Sequence, residues 1–111
     1  MPRRSRLSWT ADHKTEWDGA PYELIKRAIA DDKGRMGRPH WYLYEALPGG
    51  FQVERTPVLG ALGRRLDIAK RLAELHLVDG WRFAFQVRPS DGMPLWRGRD
   101  GGLRPQDELL A

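Results

Sequence analysis

Residues 40–76 constrain the fold of this chain more than any other segment, because three secondary-structure patterns follow one another there without a gap. A β-prone aromatic run at Trp41–Tyr44 leads to a turn cluster at Pro48–Gly50. Phe51–Arg55 then alternates apolar and polar residues, which predicts a half-buried strand, and an amphipathic pattern predicts a helix over Arg65–Leu77. A helix that follows paired strands so closely buries its apolar face on them, so the segment predicts an α+β fold.

The C-terminal part of the chain adds further strands. Trp81–Arg88 alternates large apolar residues with mostly polar ones, which predicts a strand with one buried face. Met93–Arg97 fits a short edge strand, and Pro105–Ala111 is predicted to form one helical turn or none. These patterns together predict one main helix packed on a curled antiparallel sheet of about four to six strands.

Residues 13–29 have two interpretations. His13–Trp17 and Tyr22–Ile29 flank the turn-forming Asp18–Pro21, which predicts a β-hairpin. The alternative is a helix over the second of these segments, with Asp18 as its N-cap. We favour strands, because a meander supplies the partners that the central strands need.

A chain of 111 residues can build one modest hydrophobic core, so we expect a single domain over residues 1–111. The apolar share of 41% is too high for a disordered chain. Residues 1–8 are mostly basic and polar, and residues 98–111 begin with a glycine-rich stretch, so we expect both ends to be flexible.

The sequence carries no catalytic or metal-binding signature. It has no cysteine, which excludes disulfides, thiolate zinc sites and thiol nucleophiles. His13, His40 and His76 fall in separate predicted elements, and Asp31 and Asp32 lack a basic or nucleophilic partner at a catalytic spacing. We therefore expect no metal site, no cofactor and no enzymatic activity.

The basic N-terminal residues are followed by a polar segment, Ser8–His13, rather than by an apolar stretch. We therefore expect no signal peptide and no membrane span. The absence of cysteine fits a reducing compartment, so we expect a cytoplasmic protein.

Arginine dominates the positive charge of the chain. Lysine and arginine number 19 against 15 acidic residues, a net charge of +4, and four of the 19 are lysine. The guanidinium group offers a planar fork for phosphate, which lysine does not. A GC-rich genome also favours arginine codons, so the bias does not by itself establish nucleic-acid binding.

The glycine-punctuated loop Asp31–Pro39 is the first candidate contact with nucleic acid. It carries three cationic side chains, those of Lys33, Arg35 and Arg38. We expect this loop to be mobile and to follow a phosphate backbone, with nearby rings for base stacking from His40, Trp41 or Tyr42.

The entrance of the predicted helix is the second candidate. Arg64 and Arg65 lie where the helix dipole is positive, which is unfavourable unless something compensates. A phosphate there would meet free backbone N–H groups and two guanidinium forks. Alternatively, both side chains point into solvent and Asp67 offsets part of the cost.

A loose motif runs through Trp41–Tyr44, Gly49–Phe51, Asp67–Lys70 and Glu74–His76. It resembles the strand–turn–strand–helix of the arm-type DNA-binding domains of phage integrases, and it is similar to small proteins of actinobacterial phages and other mobile elements. The resemblance implies that a sheet face enters a DNA groove and presents some of Tyr42, Tyr44, Gln52 and Arg55. Two carboxylates in the same strands would repel phosphate if they shared that face, those of Glu45 and Glu54.

The sequence thus predicts a non-enzymatic protein of phage or mobile-element type that binds nucleic acid. The predicted contacts are Lys33, Arg35, Arg38, Arg55, Arg64 and Arg65. The alternative is a protein-interaction module that captures a host protein, either through a sheet edge or through an exposed aromatic patch that includes some of Tyr44, Trp81 and Trp96. A homodimer formed through the same sheet edge is compatible with either function.

Overall fold

The computed structural model describes residues 6–46 and 57–111. The predicted turn Pro48–Gly50 and the predicted strand Phe51–Arg55 lie outside the described residues. The elements, in chain order, are β1 (Lys14–Trp17), β2 (Ala20–Arg27), β3 (His40–Glu45), α1 (Leu66–Asp79), β4 (Arg82–Val87), β5 (Pro94–Arg97), β6 (Leu103–Pro105) and α2 (Gln106–Leu110). Neither described helix is long and apolar enough to cross a membrane.

The first three strands form an antiparallel sheet, sheet 1, in the order β1-β2-β3. The turn between β1 and β2 consists of Asp18 and Gly19, with φ angles of 52° and 78°. Two consecutive residues with positive φ form a two-residue hairpin turn whose twist matches that of the flanking strands. Asp-Gly is one of the pairs that adopt this conformation most readily. The strand interpretation of Tyr22–Ile29 is therefore confirmed as far as Arg27, and the helix alternative is wrong.

The last three strands form a second antiparallel sheet, sheet 2, in the order β4-β5-β6. The α+β class with one main helix is confirmed, but the expectation of a single curled sheet is wrong. The outer edge of β3 is occupied by residues 58–63: Val58 N donates to Leu43 O at 2.7 Å, and Leu62 N donates to Trp41 O at 2.9 Å. Because these backbone bonds use that edge, β4 cannot extend sheet 1 there.

Helix α1 joins the two sheets through one hydrophobic core. Its fully buried Ala69, Leu72 and Ala73 belong to the same cluster as residues of sheet 1, of sheet 2 and of the segment before α1, which include Leu24, Leu43, Leu62 and Trp96. The helix ends where Gly80 takes a left-handed conformation, with φ of 77°. The predicted helix Arg65–Leu77 thus matches the observed one closely.

Two predictions about the C-terminal strands are wrong. The segment Met93–Arg97 fitted an edge strand, but β5 is the centre of sheet 2. The alternation over Trp81–Arg88 placed Phe85 on a buried face, but a shift of register between Phe83 and Val87 leaves the Phe85 side chain 96% exposed, with φ of 54°. A bulge of this kind turns a side chain away from the face that its position in the alternation predicts.

The C-terminal residues 103–110 form β6 and α2, within a segment that we expected to be flexible. An ion pair connects α2 to the residue that follows β4: the Arg88 guanidinium lies 2.8 Å from the Asp107 carboxylate, and it also lies 2.6 Å from that of Asp91. Hydrogen bonds from Arg88 and from the Met93 backbone N–H lower the pKa of Asp91 to about 2. Pro105–Ala111 was predicted to form one helical turn or none, and the single turn is confirmed.

The start of the described chain is also anchored. The Arg6 guanidinium donates to Asp79 at 2.8 Å and to Glu74 at 3.0 Å, both on α1. Leu7 beside it is 5% exposed and belongs to the core. These contacts fall within the residues 1–8 that we expected to be flexible.

Trp96 and Phe85 provide a test of the core assignment, because one indole is fully buried and one phenyl ring is 96% exposed. We expect Trp96→Ala to lower the free energy of unfolding by about 3–5 kcal/mol, since it removes the largest buried side chain. Phe85→Ala should change it by less than about 0.5 kcal/mol. Urea unfolding of both variants measures this, and equal losses would contradict the assignment.

His76 makes stability depend on pH. Burial lowers the pKa of His76, and the Arg82 guanidinium lowers it further, while Nδ1 donates a 2.7 Å hydrogen bond to Trp81 O. Between this lowered pKa and about pH 6.5 the unfolded chain binds a proton here that the folded chain does not. Stability should therefore be complete above that pH and fall as the pH drops through the lowered pKa.

His76→Asn removes this titration. Its free energy of unfolding should vary less between pH 7 and pH 5 than that of the unmodified chain. Chemical denaturation across this range measures both slopes. Identical slopes in the two proteins would contradict the assignment.

Candidate nucleic-acid interface

Residues 28–39 form a two-stranded extension of the β2–β3 hairpin, called here the ribbon. Ala30 pairs with Met36 in an antiparallel bridge, and Gly37 N donates to Ile29 O at 3.2 Å. Sequence reasoning treated most of this segment as an irregular loop. The structure instead extends the hairpin by about 10 Å from Ala28 to Asp31, where the turn begins, at the rise of extended strands.

Asp31 organises the tip of the ribbon. Its Oδ1 accepts hydrogen bonds from the backbone N–H groups of Lys33 at 2.9 Å and Arg35 at 2.8 Å. Gly34 takes the left-handed conformation that the turn requires, with φ of 77°. The Arg35 guanidinium lies 3.2 Å from the same carboxylate, so Arg35 holds the turn and neutralises its charge.

Residues 29–39 are exposed without interruption. Met36 is 65% exposed and Ile29 is 44% exposed, so the ribbon presents apolar as well as cationic side chains. Lys33 and Arg38 form no ion pair with any described residue, which leaves their charges available to a ligand.

The structure brings the helix entrance to the base of the ribbon. Trp41 N donates to Gly63 O at 2.8 Å, so the residue that precedes Arg64 is fixed beside β3. Arg38 lies three residues before Trp41, about 10 Å away along an extended strand. The two basic clusters that the sequence suggested separately therefore share one end of the molecule.

Arg64 and Arg65 differ in their surroundings. The Arg65 guanidinium forms a two-pronged ion pair with Asp67, with distances of 2.7 Å and 3.1 Å. This contact lowers the pKa of Asp67. The Asp67 carboxylate offsets part of the unfavourable interaction between Arg65 and the helix dipole, as the alternative without a bound phosphate predicted. Arg64 is exposed and forms no ion pair with a described residue.

Lys26 and Arg27, at the end of β2, add two exposed cations beside the ribbon that sequence reasoning missed. Two successive basic residues at the end of a strand were the available signal. The Arg27 guanidinium also donates to Tyr44 Oη at 3.0 Å and lies over the Tyr44 ring, 5.8 Å from its centre. Arg55, Gln52 and Glu54 lie outside the described residues.

The predicted exposed aromatic patch is not formed. Tyr44 is 1% exposed and Trp96 is 0% exposed, so the expectation for both is wrong. Trp96 is buried because β5 is the central strand of sheet 2 and packs its ring against Phe83, with 4.1 Å between ring centres. Tyr44 likewise cannot present its ring to a DNA groove, and Trp81 is half-buried.

Within residues 6–46 and 57–111, no cluster of three or more metal-ligating side chains is placed to hold a metal ion. No family model matches the sequence, and no curated protein and no solved structure is significantly similar to it.

Asp31→Ala tests whether the tip of the ribbon is preorganised. The substitution removes the acceptor of two backbone N–H groups, so the amides of Lys33 and Arg35 should exchange with solvent at least about fivefold faster. Amides in the core strands β2 and β3 should be unaffected. Hydrogen exchange followed by NMR measures this, and unchanged exchange at the tip would contradict the role of Asp31.

Proposed function

We propose that this protein binds double-stranded DNA by placing the ribbon in a groove and contacting the flanking phosphates with the cations at its base. The observation that carries the proposal is the uninterrupted exposure of residues 29–39 on a hairpin. Its cations Lys33 and Arg38 form no ion pair with a described residue and can attract DNA. The protein is proposed to be non-enzymatic. Its cytoplasmic location and its origin in a phage or mobile element stay predictions.

The dimensions of the ribbon support this arrangement. The major groove of DNA is about 12 Å wide and about 8.5 Å deep, and it admits a two-stranded β-ribbon. The ribbon extends about 10 Å before its turn, a length comparable with the depth of the groove, so its tip can reach the groove floor while its base remains near the backbone.

The distribution of charge fits the same orientation. Lys26, Arg27 and Arg64 surround the base of the ribbon, where the phosphates would lie. Asp32 lies at the tip and would be repelled by a phosphate, but among the base edges a carboxylate can accept a hydrogen bond from cytosine. The tip is therefore assigned to the groove and the base to the backbone.

The alternative function, capture of a host protein, is supported by a different residue from those expected. Phe85 is almost fully exposed on β4, an edge strand of sheet 2, and its left-handed backbone conformation is rare for an aromatic residue. Such a ring on the edge strand of the described sheet suits a protein partner. Two results together would favour this alternative: the unmodified chain does not bind DNA, and Phe85→Ala abolishes its capture of a host protein.

Arg38→Glu is the variant that tests DNA binding, and Arg104→Glu is its matched control. Both arginines are exposed, neither forms an ion pair with a described residue, and each reversal changes the net charge equally. Arg38→Glu should weaken binding to a labelled duplex at least about fivefold and reduce the slope of affinity against salt by about one unit or more. Arg104→Glu, on sheet 2, should have a much smaller effect.

Fluorescence anisotropy at low and physiological salt measures both affinities. Equal losses in the two variants would show that only net charge matters. Either that result or the absence of binding at low salt would overturn the proposal.

A further inference from the structure

A second basic surface lies away from the ribbon, in a cleft of about 630 Å³. The β1–β2 hairpin, the C-terminal end of α1 and sheet 2 surround it. Its volume lies within the range of small-molecule sites, about 300–1,000 Å³. The side chains that line it include those of Trp17, Tyr22, His76, Arg82, Arg97 and Arg99.

Among the described residues that line the cleft, all permanently charged side chains are cationic. Arg82, Arg97 and Arg99 form no ion pair with any described residue. Of the two nearest carboxylates in the sequence, Asp79 pairs with Arg6. Asp100 accepts from Gly102 N at 2.9 Å and lies beside Gly98, where a Cβ would come within 3.1 Å of its Oδ1. The cleft therefore combines three guanidinium groups without a neutralising carboxylate among its described lining.

Two of these arginines are held in an unfavourable arrangement. Arg82 and Arg97 are direct partners across β4 and β5. Like charges directly opposite each other destabilise a sheet. An anion between the two guanidinium groups would convert this repulsion into two charge-assisted contacts.

Arg99 and Arg97 are positioned by backbone contacts. The Arg99 side chain lies across Gly80, where a Cβ would come within 2.8 Å of its Cγ, and its Nη2 donates to Val78 O at 3.4 Å. Arg97 Nη1 donates to Gly101 O at 3.0 Å. Each guanidinium retains further N–H donors, because it carries five.

The remaining walls suit a flat ring. Trp17 and Tyr22 contribute an indole and a phenol from sheet 1, and both are half-buried. His76 donates from Nδ1 to Trp81 O, so in the neutral ring Nε2 is an acceptor. A stacked heterocycle with an N–H donor would satisfy both features.

We propose that the cleft binds a nucleoside monophosphate, with the phosphate between Arg82 and Arg97 and the base against Trp17. The ligand is either a free nucleotide or the 5′-phosphorylated end of a nucleic-acid strand. This site is independent of the ribbon, because Tyr22 and Arg27 lie at opposite ends of β2, about 17 Å apart. Loss of DNA binding by the ribbon would therefore leave nucleotide binding intact.

The test is an NMR titration of the full chain with AMP, adenosine and inorganic phosphate, following the Trp17 indole N–H and the Gly98 amide. AMP should bind at least about tenfold more tightly than either fragment. Arg82→Gln combined with Arg97→Gln should weaken AMP binding at least about tenfold. Arg104→Gln, which alters an exposed arginine of the same sheet outside the cleft, should not.

The thermal midpoint of the ligand-free double variant separates binding from folding. Because the two arginines repel each other, the midpoint should be unchanged or higher. A single-stranded oligonucleotide with a 5′-phosphate, compared with its 5′-hydroxyl form, identifies the source of the ligand. Equal binding of AMP to the variant and the unmodified chain, or phosphate binding as tightly as AMP, would overturn the proposal.

Discussion

Leu24 and Leu43 face each other across β2 and β3, and both side chains are almost completely buried under α1. This pairing fixes the register of sheet 1, because a slip of one residue would turn every side chain of one strand to the opposite face. It also fixes where the hairpin leaves the core. Residues 58–63 complete the arrangement by bonding to the outer edge of β3, which positions the start of α1 and separates the two sheets.

Both proposed sites follow from this arrangement. Beyond Arg27 the hairpin has no core beneath it, so the ribbon is exposed on both faces and carries its cations away from the body of the protein. At the other end of β2, Tyr22 and the neighbouring Trp17 face the junction with sheet 2, where Arg82 and Arg97 are opposed. The same strand thus separates an interface for a polyanion from a cleft for a small anion.

The sequence predicted the local elements better than their arrangement. Asp18 and Gly19 specify the first hairpin through their turn chemistry, and the apolar spacing of α1 specifies its buried face. Sequence reasoning did not reveal that residues 58–63 occupy the edge of β3, because that segment has no strand pattern. The burial of Trp96 and the exposure of Phe85 depend on strand order and on a bulge, which alternation does not encode. The basic residues of the ribbon were found, but the hydrogen bonds of Asp31 that order its tip were not.

The most direct test of the proposed interface is an NMR titration of the full chain with a short DNA duplex that carries 5′-hydroxyl ends, at low salt. The ends are chosen so that no terminal phosphate is offered to the cleft. We expect chemical-shift changes concentrated in residues 28–39 and at Arg64, with little change in β4, β5 and β6. Changes concentrated in sheet 2 with the ribbon unaffected, or no changes at all, would contradict it.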